Sequence, residues 1–359
     1  MYPDEFEYHS ADSVESAVSL LAENPDAELI AGGHSLLPTM KSGLASPDAL
    51  VDISGVDGLD GVERDGDSTQ IGAMTTYAEV ADDDQFWEDA TVVAETAGEI
   101  GDRQVRNRGT VGGNIAHADP ASDLPGAMLA ADATVHVHGP DGERAIEIDD
   151  FFQGMYATAA GEEEVVTGVE VPHEDDDTAS GYVKKPSPSS GYAMVGVAAR
   201  LALDGDTVTD ARVAANGVMD HGTRLSGAED ALEGETLDAD AVEAAGAAAG
   251  DDLDEYMVME DQQASAEFRL QLLSVYTERA LEKTRFVCRS GRCEDARYGP
   301  VGREIRRPGG DYVCIVNYPC LLAAFGGSLR QGLPASVTRF ADTVVASTAS
   351  AVSTGVDSE

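Results

Sequence analysis

Two pairs of glycines follow predicted strands and have the surroundings of phosphate-binding loops. The first lies in Ala31–Ser35 (AGGHS), after a short apolar run, and the second in Thr110–Asn114 (TVGGN). Glycine has no Cβ, so such loops can expose successive backbone N–H groups to an anion, and Ser35, Thr110 and Asn114 would add side-chain donors. Each pair alone also fits an ordinary turn. Together the two loops predict a pyrophosphate site that is bound from two sides.

The usual nucleotide-binding signatures are absent from the sequence. No two glycines are separated by a single residue, which excludes the GxGxxG fingerprint of Rossmann domains and the glycine loop of kinases. The phosphate-binding sequences GxxxxGKS and GxxxxGKT are missing as well. A nicotinamide-dependent dehydrogenase on a Rossmann domain is therefore a poor hypothesis for this chain.

The elements that must position the two loops alternate between strand and helix. The opening predicts a strand at Glu5–His9 and a helix that begins at Asp12–Glu15, with capping-box spacing, and ends near Asn24-Pro25. Further strands are predicted at Glu28–Ala31, Leu50–Ile53, Gln70–Met74 and Thr134–His138, and helices from Leu36 and at Tyr77–Ala81, Trp87–Ile100 and Leu124–Ala131. This mixture predicts an α/β or α+β domain.

From about Gly181 the pattern changes to longer strands followed by helices. Strands are predicted at Ala193–Leu203 and Val208–Val218, and helices at Gly227–Leu232, Asp238–Ala249 and Ser265–Lys283. The acidic run before Gly181 predicts an exposed linker near residues 173–180. The sequence thus predicts domains at residues 1–175 and 180–285, with an extension at residues 286–359.

The chain is strongly acidic, with 67 Asp and Glu, 23 Lys and Arg, and a formal net charge of -44. Such a field repels nucleic acid and anionic lipid, so neither is expected as a partner. No apolar run approaches the roughly 20 residues that span a bilayer, and we expect a soluble cytoplasmic protein without stable membrane insertion. The acids interleave with apolar segments, which argues against a disordered acidic tail and resembles the composition of proteins from salt-loving archaea.

Six segments in the right order resemble the FAD-binding medium subunit of aerobic carbon monoxide dehydrogenases, of the xanthine dehydrogenase kind. They are AGGHSLLPTMKSG (31–43), IGAMTTYAEV (71–80), IGDRQVRNRGTVGGNIAHADPASDLP (100–125), EVVTGVEVP (164–172), GYAMVGVAARL (191–201) and ASAEFRLQLLSVYTERAL (264–281). The resemblance covers about 285 residues. It is far more specific than one motif.

The resemblance implies an α+β fold. An FAD-binding domain of the vanillyl-alcohol-oxidase (PCMH) type, with two subdomains around the FAD diphosphate, would precede a smaller domain of sheet and helices. It also implies FAD as the cofactor and an oxidoreductase complex with a large molybdopterin-containing subunit and a small subunit with two 2Fe–2S clusters, as a dimer of heterotrimers. Electrons would pass from these clusters to FAD and on to an external acceptor. The substrate stays open between carbon monoxide, a purine, an aldehyde and an aromatic acyl thioester.

Carried onto this sequence, the resemblance implies a set of cofactor-binding residues and no catalytic or metal-binding residue in this chain. The cofactor-binding residues are Ile30, Ala31, Gly32, Gly33, His34, Ser35, Leu36, Leu37, Thr110, Val111, Gly112, Gly113, Asn114, Asp123, Val166 and Lys184. Lys185 is an alternative to Lys184, and Asp123 could instead cap the helix at Leu124. The arginines at 103, 106 and 108 fit a solvated loop, a docking face or a phosphate contact.

The last 74 residues follow a different compositional rule. Residues 286–359 hold 8 basic and 7 acidic residues, against 15 and 60 in residues 1–285, and they contain Cys288, Cys293, Cys314 and Cys320. These cysteines lack the CxxC spacing of common zinc sites, so a metal site is the weaker hypothesis. We expect a disordered extension, of the kind that a frameshift or missed stop codon creates, that is dispensable for FAD binding.

Two other functions are compatible with the sequence. A stand-alone flavin oxidase of the vanillyl-alcohol-oxidase type would need its own substrate domain and a general base over the flavin. A subunit without flavin could only bridge partner chains. Flavin absorbance in the purified protein distinguishes the bridging subunit from the flavoproteins.

Overall fold

The computed structural model describes residues 2–290. Most of the predicted extension at residues 286–359 lies outside the described residues, because the description ends at Ser290. Three of its four cysteines follow Ser290. The described elements form an N-terminal part (residues 2–172) and a C-terminal part (residues 178–290). None of the helices in this range combines the length and the apolar character that crossing a bilayer requires.

A small parallel sheet opens the N-terminal part. Its strands are β1 (Glu7–Ser10), β2 (Ala27–Ile30) and β3 (Ala49–Asp52), in the order β1-β3-β2, and its helices are α1 (Val14–Glu23) and α2 (Leu36–Ser42). Ser13 caps α1 and forms a capping box with Ser16, so the helix begins where the sequence predicted. Because all three strands run in one direction, the loop after β2 leaves the carboxyl edge of the sheet.

A five-stranded antiparallel sheet, in the order β4-β5-β10-β6-β7, completes the N-terminal part. The strands that follow β3 are β4 (Val62–Asp65), β5 (Ser68–Gly72), β6 (Thr134–Gly139), β7 (Gly142–Glu147), the hairpin β8 (Phe152–Gly154) and β9 (Ala157–Thr158), and β10 (Val165–Pro172). The helices are α3 (Tyr77–Asp82), α4 (Phe86–Asp89), α5 (Thr91–Glu99), α6 (Arg103–Arg106), α7 (Val111–His117), α8 (Leu124–Ala131) and α9 (Ile148–Phe151). Val135, Val137 and Val169 alternate along β6 and β10 and are fully buried in the same core as α5 and α8.

The C-terminal part is a four-stranded antiparallel sheet followed by helices. Its strands are β11 (Thr178–Pro186), β12 (Ala193–Asp204), β13 (Thr207–Asn216) and β14 (Thr223–Arg224), in that order across the sheet. Its helices are α10 (Ser226–Asp230), α11 (Ala239–Ala248), a 3-10 turn at Glu255–Met257 and α12 (Ala266–Ser290).

This sheet contributes to two cores at once. Val195 and Val197 of β12 belong to the core beneath α11 and α12. Ala198, Ala214 and Tyr182 instead belong to the core of the N-terminal part. Successive side chains of a strand point to opposite faces, so one face of the sheet packs on each core. The C-terminal part is therefore packed directly against the N-terminal part.

The single helix predicted at Trp87–Ile100 is wrong, because the chain breaks at Ala90 between α4 and α5. Ala90 has φ -154° and ψ 64°, outside the helical region. The N–H of Val92, in the first turn of α5, donates to the hydroxyl of Ser180 at 2.9 Å. This cap comes from β11, 88 residues away along the chain. A tertiary contact of this kind leaves no mark in the local pattern.

Candidate functional site

The first glycine loop leaves β2 and presents consecutive backbone donors. The strand ends at Ile30, whose carbonyl accepts from the N–H of Ile53 at 3.2 Å. Gly33 has φ +69°, a left-handed conformation that residues with a Cβ rarely adopt. The N–H groups of residues 32–35 have no acceptor among the described residues. The loop therefore offers adjacent, unpaired donors to an anion.

The second glycine loop leads into α7 and uses its donors differently. The N–H groups of Val111 and Gly112 donate to the carbonyls of Thr75 and Ala73, each at 2.9 Å. A Cβ on Gly112 would lie 2.4 Å from the Cβ of Ala73, so this glycine is needed for close packing and its own N–H is already paired. The N–H groups of Thr110 and Gly113 have no acceptor among the described residues.

The hydroxyl of Thr110 is the most telling polar group of the second loop. Thr110 is 4% exposed, and its Oγ1 has no hydrogen-bond partner within residues 2–290. Leaving a buried hydroxyl unpaired costs about 1–3 kcal/mol, which a ligand that accepts or donates a hydrogen bond would recover. A Cβ on Gly113 would lie 2.6 Å from this oxygen, so glycine at 113 keeps the space beside the hydroxyl open.

The structure brings the two loops into direct contact. A Cβ on Gly32 would lie 2.0 Å from the carbonyl oxygen of Arg108, just before the second loop. A Cβ on Gly113 would lie 3.4 Å from the Cβ of Ala31 in the first loop. Only glycine permits so close an approach at position 32. The unpaired donors of both loops consequently lie on the walls of one cleft.

This cleft has a volume of about 470 Å³. The predicted residues that line it are Ala31, Gly32, Gly33, His34, Ser35, Leu36, Thr110, Gly112, Gly113, Asn114 and Val166. A third wall is formed by residues 158–166, where Glu164 accepts from the N–H of Gly161 at 2.6 Å and from the guanidinium of Arg144 at 2.6–2.7 Å. The hydrogen bonds from Arg144 lower the pKa of Glu164 below its ordinary value.

Five of the predicted residues do not line the cleft: Ile30, Leu37, Val111, Asp123 and Lys184. Ile30 ends β2 and supports the first loop. Leu37 is the second residue of α2, with its side chain against Gly33, and Val111 is fully buried in the core. These three side chains shape the loops from behind.

Asp123 and Lys184 form a buried ion pair beside the cleft. The Lys184 Nζ lies 2.7 Å from Asp123 Oδ2, and both side chains are at most 6% exposed. The Tyr182 hydroxyl donates to the other carboxylate oxygen. Burial raises the pKa of Asp123, and the ammonium of Lys184 opposes that shift. The structure thus selects Lys184 over Lys185 as the partner of Asp123.

The alternative role of Asp123 as a helix cap is not realised. Asp123 stands at the N-cap position of α8, but its side chain makes no capping hydrogen bond. Its carboxylate is occupied by the C-terminal part instead. Asp119 accepts from the N–H of Ala121 at 2.9 Å, a local turn contact.

Tyr77 is a cleft residue that the sequence did not predict. Its hydroxyl accepts a hydrogen bond from Asn114 Nδ2 at 2.8 Å, and the hydroxyl of Ser122 donates to Asn114 Oδ1 at 2.9 Å. Burial raises the pKa of Tyr77, so the phenol stays protonated. The quoted segment 71–80 contains Tyr77, but nothing in its spacing connects it with a residue 37 positions later.

Two further aromatic side chains at the cleft, Tyr156 and His117, were not among the predicted cofactor-binding residues. Tyr156 has φ +57° and is 57% exposed, and its ring lies 5.1 Å from that of His117. Both line the cleft. The sequence carried no signal for Tyr156, because a left-handed tyrosine follows from its fold context and not from its neighbours. The ring of His34 approaches the carbonyl of Gly32, with Nδ1 at 3.2 Å from the oxygen.

The three arginines of the basic island have different surroundings. Arg106 donates to the carbonyls of Ile100 and Gly101 and so fixes the turn before α6. Arg103 and Arg108 are exposed. Across the described residues, no group of three or more His, Cys, Asp or Glu side chains is placed to hold a metal ion.

The donor set of the cleft fits the diphosphate of FAD. Free N–H groups in a row, a buried hydroxyl without a partner and glycines at the points of close approach are what an anionic diphosphate needs from a protein. The volume of about 470 Å³ lies within the range of cofactor clefts.

Comparison with known proteins points the same way. Two family models match the chain: the FAD binding domain in molybdopterin dehydrogenase over residues 4–174, and the CO dehydrogenase flavoprotein C-terminal domain over residues 182–284. The carbon monoxide dehydrogenase medium chain of Hydrogenophaga pseudoflava is 39% identical over 69% of this chain and 87% of its own. The nicotine 6-hydroxylase medium subunit of Paenarthrobacter nicotinovorans is 34% identical over 76% and 95%.

A solved structure of the carbon monoxide dehydrogenase from Hydrogenophaga pseudoflava superposes with a TM-score of 0.77. The identity there is 37%, over 80% of this chain and all of the matched chain. The predicted α+β architecture, an FAD-binding domain with a smaller C-terminal domain, is confirmed by these matches.

Proposed function

Because this chain belongs to the family of FAD-binding flavoprotein subunits of molybdenum hydroxylases, we propose that it is the electron-transfer subunit of such a complex. Its cofactor is FAD, and its relatives are subunits of dehydrogenases. In the proposed complex, FAD receives electrons from the iron–sulfur clusters of a small partner subunit and passes them to an external acceptor. The molybdenum centre lies in a large partner subunit, in a dimer of heterotrimers.

The chemistry that FAD supplies when bound is the exchange of electrons between one-electron and two-electron partners. This chain's own residues bind and orient the cofactor. The N–H groups of residues 32–35 hold the diphosphate from one side. The Thr110 hydroxyl and the N–H of Gly113 hold it from the other. The Asp123–Lys184 ion pair adjoins Ser122, whose hydroxyl donates to Asn114 of the cleft, and we propose that the pair supports the flavin end of the site.

One observation carries this proposal: a buried hydroxyl and a row of backbone donors, all unpaired, converge on a single cleft. The net charge of -44 opposes the approach of an anion such as diphosphate, so a site for one needs donors of its own. A stand-alone oxidase is less well supported, because the matched relatives are named as a medium chain and a medium subunit. We also propose that residues 1–175 and 180–285 are the two domains.

The proposal is tested by co-expressing the chain with the large and small subunit genes expected beside its own. We expect one complex that contains molybdenum, iron and one FAD per copy of this chain. FAD should leave with the supernatant after acid precipitation, because we propose that the two loops bind it non-covalently. A lone monomer that turns over a dehydrogenase substrate by itself would contradict the proposal.

Electron flow is tested by removing FAD from the complex. Substrate should still bleach the iron–sulfur absorbance of an FAD-depleted complex, while reduction of an external acceptor stops and returns when FAD is added back. Acceptor reduction that continues at the full rate without FAD would show that electrons leave by another route.

A further inference from the structure

A short segment of the N-terminal part, Pro120–Asp123, is held by the C-terminal part. Three main-chain carbonyls of the segment accept hydrogen bonds of 2.8–3.1 Å, and both carboxylate oxygens of Asp123 accept one each. The donors are, in chain order, Tyr182, Lys184, Ala193, Asn216 and Gly217. Five hydrogen bonds on four residues fix this segment more firmly than a surface loop requires.

Two glycines are needed to make room for this clamp of five donors. A Cβ on Gly196 would lie 2.2 Å from the Tyr182 hydroxyl, and a Cβ on Gly126 would lie 2.6 Å from the Asn216 amide nitrogen. Tyr182 and Asn216 are at most 1% exposed. The clamp is therefore built into the packing of the two parts and is not a surface contact.

From the clamped segment, one side chain reaches the cleft. Ser122 is 5% exposed, and its hydroxyl donates to Asn114 Oδ1 at 2.9 Å. The Nδ2 of Asn114 donates in turn to the Tyr77 hydroxyl at 2.8 Å. Asn114 and Tyr77 both line the cleft, while Ser122 does not.

We propose that Ser122 is a positioning residue: it orients the side-chain amide of Asn114, and through it the C-terminal part sets the geometry of the cleft. An amide has a donor end and an acceptor end, and a half-turn exchanges them. With Oδ1 held by Ser122, the nitrogen end keeps one N–H that has no acceptor among the described residues. A turned amide would present a carbonyl oxygen to an anionic cofactor instead.

This inference rests on the proposed FAD site, and its test compares three variants of the full chain. Ser122→Ala should raise the dissociation constant of FAD about tenfold, the usual size of one hydrogen bond at a charged ligand. Ser122→Thr keeps the hydroxyl and should bind FAD within about threefold of the original chain. Ser180→Ala removes another buried serine hydroxyl, which donates to Glu174 at 2.5 Å. It should lower the unfolding midpoint while leaving FAD affinity within about twofold.

A double-mutant cycle shows whether Ser122 acts through Asn114. In an Asn114→Ala background, adding Ser122→Ala should change the FAD dissociation constant by less than about twofold. A full tenfold effect in that background, or unchanged FAD affinity in Ser122→Ala alone, overturns the inference. So does equal weakening by Ser180→Ala. A chain that binds no FAD even without substitution would instead refute the proposed function itself.

Discussion

The two glycine loops are alike in sequence and differ in what their glycines do. In the first loop, the N–H groups of residues 32–35 are free, and Gly33 holds the left-handed conformation that turns them toward the cleft. In the second, the N–H of Gly112 is paired with Ala73 and the glycine serves close packing. There, the N–H groups of Thr110 and Gly113 and the Thr110 hydroxyl lack a partner among the described residues.

A Gly-Gly pair in the sequence therefore predicts that some group lies close to the backbone, but not whether that group belongs to a ligand or to the protein. In the first loop, Gly32 lies against the Arg108 carbonyl, and we propose that the loop also contacts the ligand. At Gly112, the group in close contact is Ala73 of the protein itself. Substitutions at the two loops should therefore change the free energy of unfolding and the FAD affinity in different proportions.

The largest effect is expected for Gly112→Val. The new Cβ would lie 2.4 Å from the Cβ and 2.6 Å from the Cα of Ala73, so α7 must shift. Overpacking of this kind costs about 1–3 kcal/mol or more, and the shift moves Thr110 and Gly113 together. We expect both a lower unfolding midpoint without cofactor and at least a hundredfold loss of FAD affinity, measured by thermal unfolding and flavin fluorescence. A stable variant with full FAD content would contradict the packing role.

Thr110→Val should stabilise the fold without cofactor and at the same time weaken FAD binding. Without cofactor, valine removes a buried hydroxyl that has no partner, so the free energy of unfolding should rise by about 1 kcal/mol. With FAD, one hydrogen bond to a charged group is lost, which weakens binding about tenfold to a hundredfold. Calorimetric unfolding with and without FAD measures both. Thr110→Ser, which keeps the hydroxyl, is the control and should change neither in this pattern.

Gly33→Ala should weaken FAD binding less, about fivefold to tenfold. Alanine disfavours φ +69° by roughly 1 kcal/mol, and its Cβ would lie 3.0 Å from Leu37 Cδ1. Gly43→Ala is the matched control, because Gly43 has φ +76° at the end of α2 with nothing within 4 Å of its Cβ. Both variants should lose similar stability, and only Gly33→Ala should lose FAD affinity. Equal FAD affinity in the two would show that the first loop presents nothing to the cofactor.

The smallest effect is expected at the third wall of the cleft, residues 158–166. This wall is fixed by the ion pair between Arg144 and Glu164 and not by glycines. Arg144 lowers the pKa of Glu164, so this carboxylate stabilises the fold above its ordinary pKa of about 4.3 and loses that contribution as the pH falls through the lowered value. Glu164→Gln should lower the unfolding midpoint by a few degrees at pH 7 and by nothing measurable in acid. Glu163→Gln, at an exposed neighbour, is the control. A loss that is independent of pH would exclude the ion pair as its cause.

The fold was predictable where elements are long and patterned. Leu124–Ala131 has the same bounds as α8, and the prediction Ala193–Leu203 falls one residue short of β12. The strands β4 and β7 were missed, because Val62–Asp65 contains a single apolar residue and Gly142–Glu147 is mostly polar. Their identity as strands comes from pairing with β5 and β6. Local sequence does not record that pairing.

The site was predictable where its chemistry is local. Glycine pairs with neighbouring hydroxyls are visible in five residues, and both such loops line one cleft. The roles of Tyr77, Ser122 and the Asp123–Lys184 pair were not visible, since their partners lie 37, 8 and 61 residues away. The turn at Asp119 interrupts the stretch between Asn114 and Ser122, so no continuous helix or strand connects the two residues.

Ligand dissection tests most directly whether the two loops hold the diphosphate of FAD from opposite sides. ADP carries the diphosphate without the flavin, and riboflavin carries the flavin without the phosphates. The measurement compares the dissociation constants of FAD, ADP and riboflavin for the original chain, Thr110→Val and Gly33→Ala by isothermal titration. Each substitution should weaken the binding of FAD and of ADP by the same factor, within about twofold, and leave riboflavin binding unchanged. Unchanged ADP affinity, or riboflavin weakened as much as FAD, would contradict this two-sided binding.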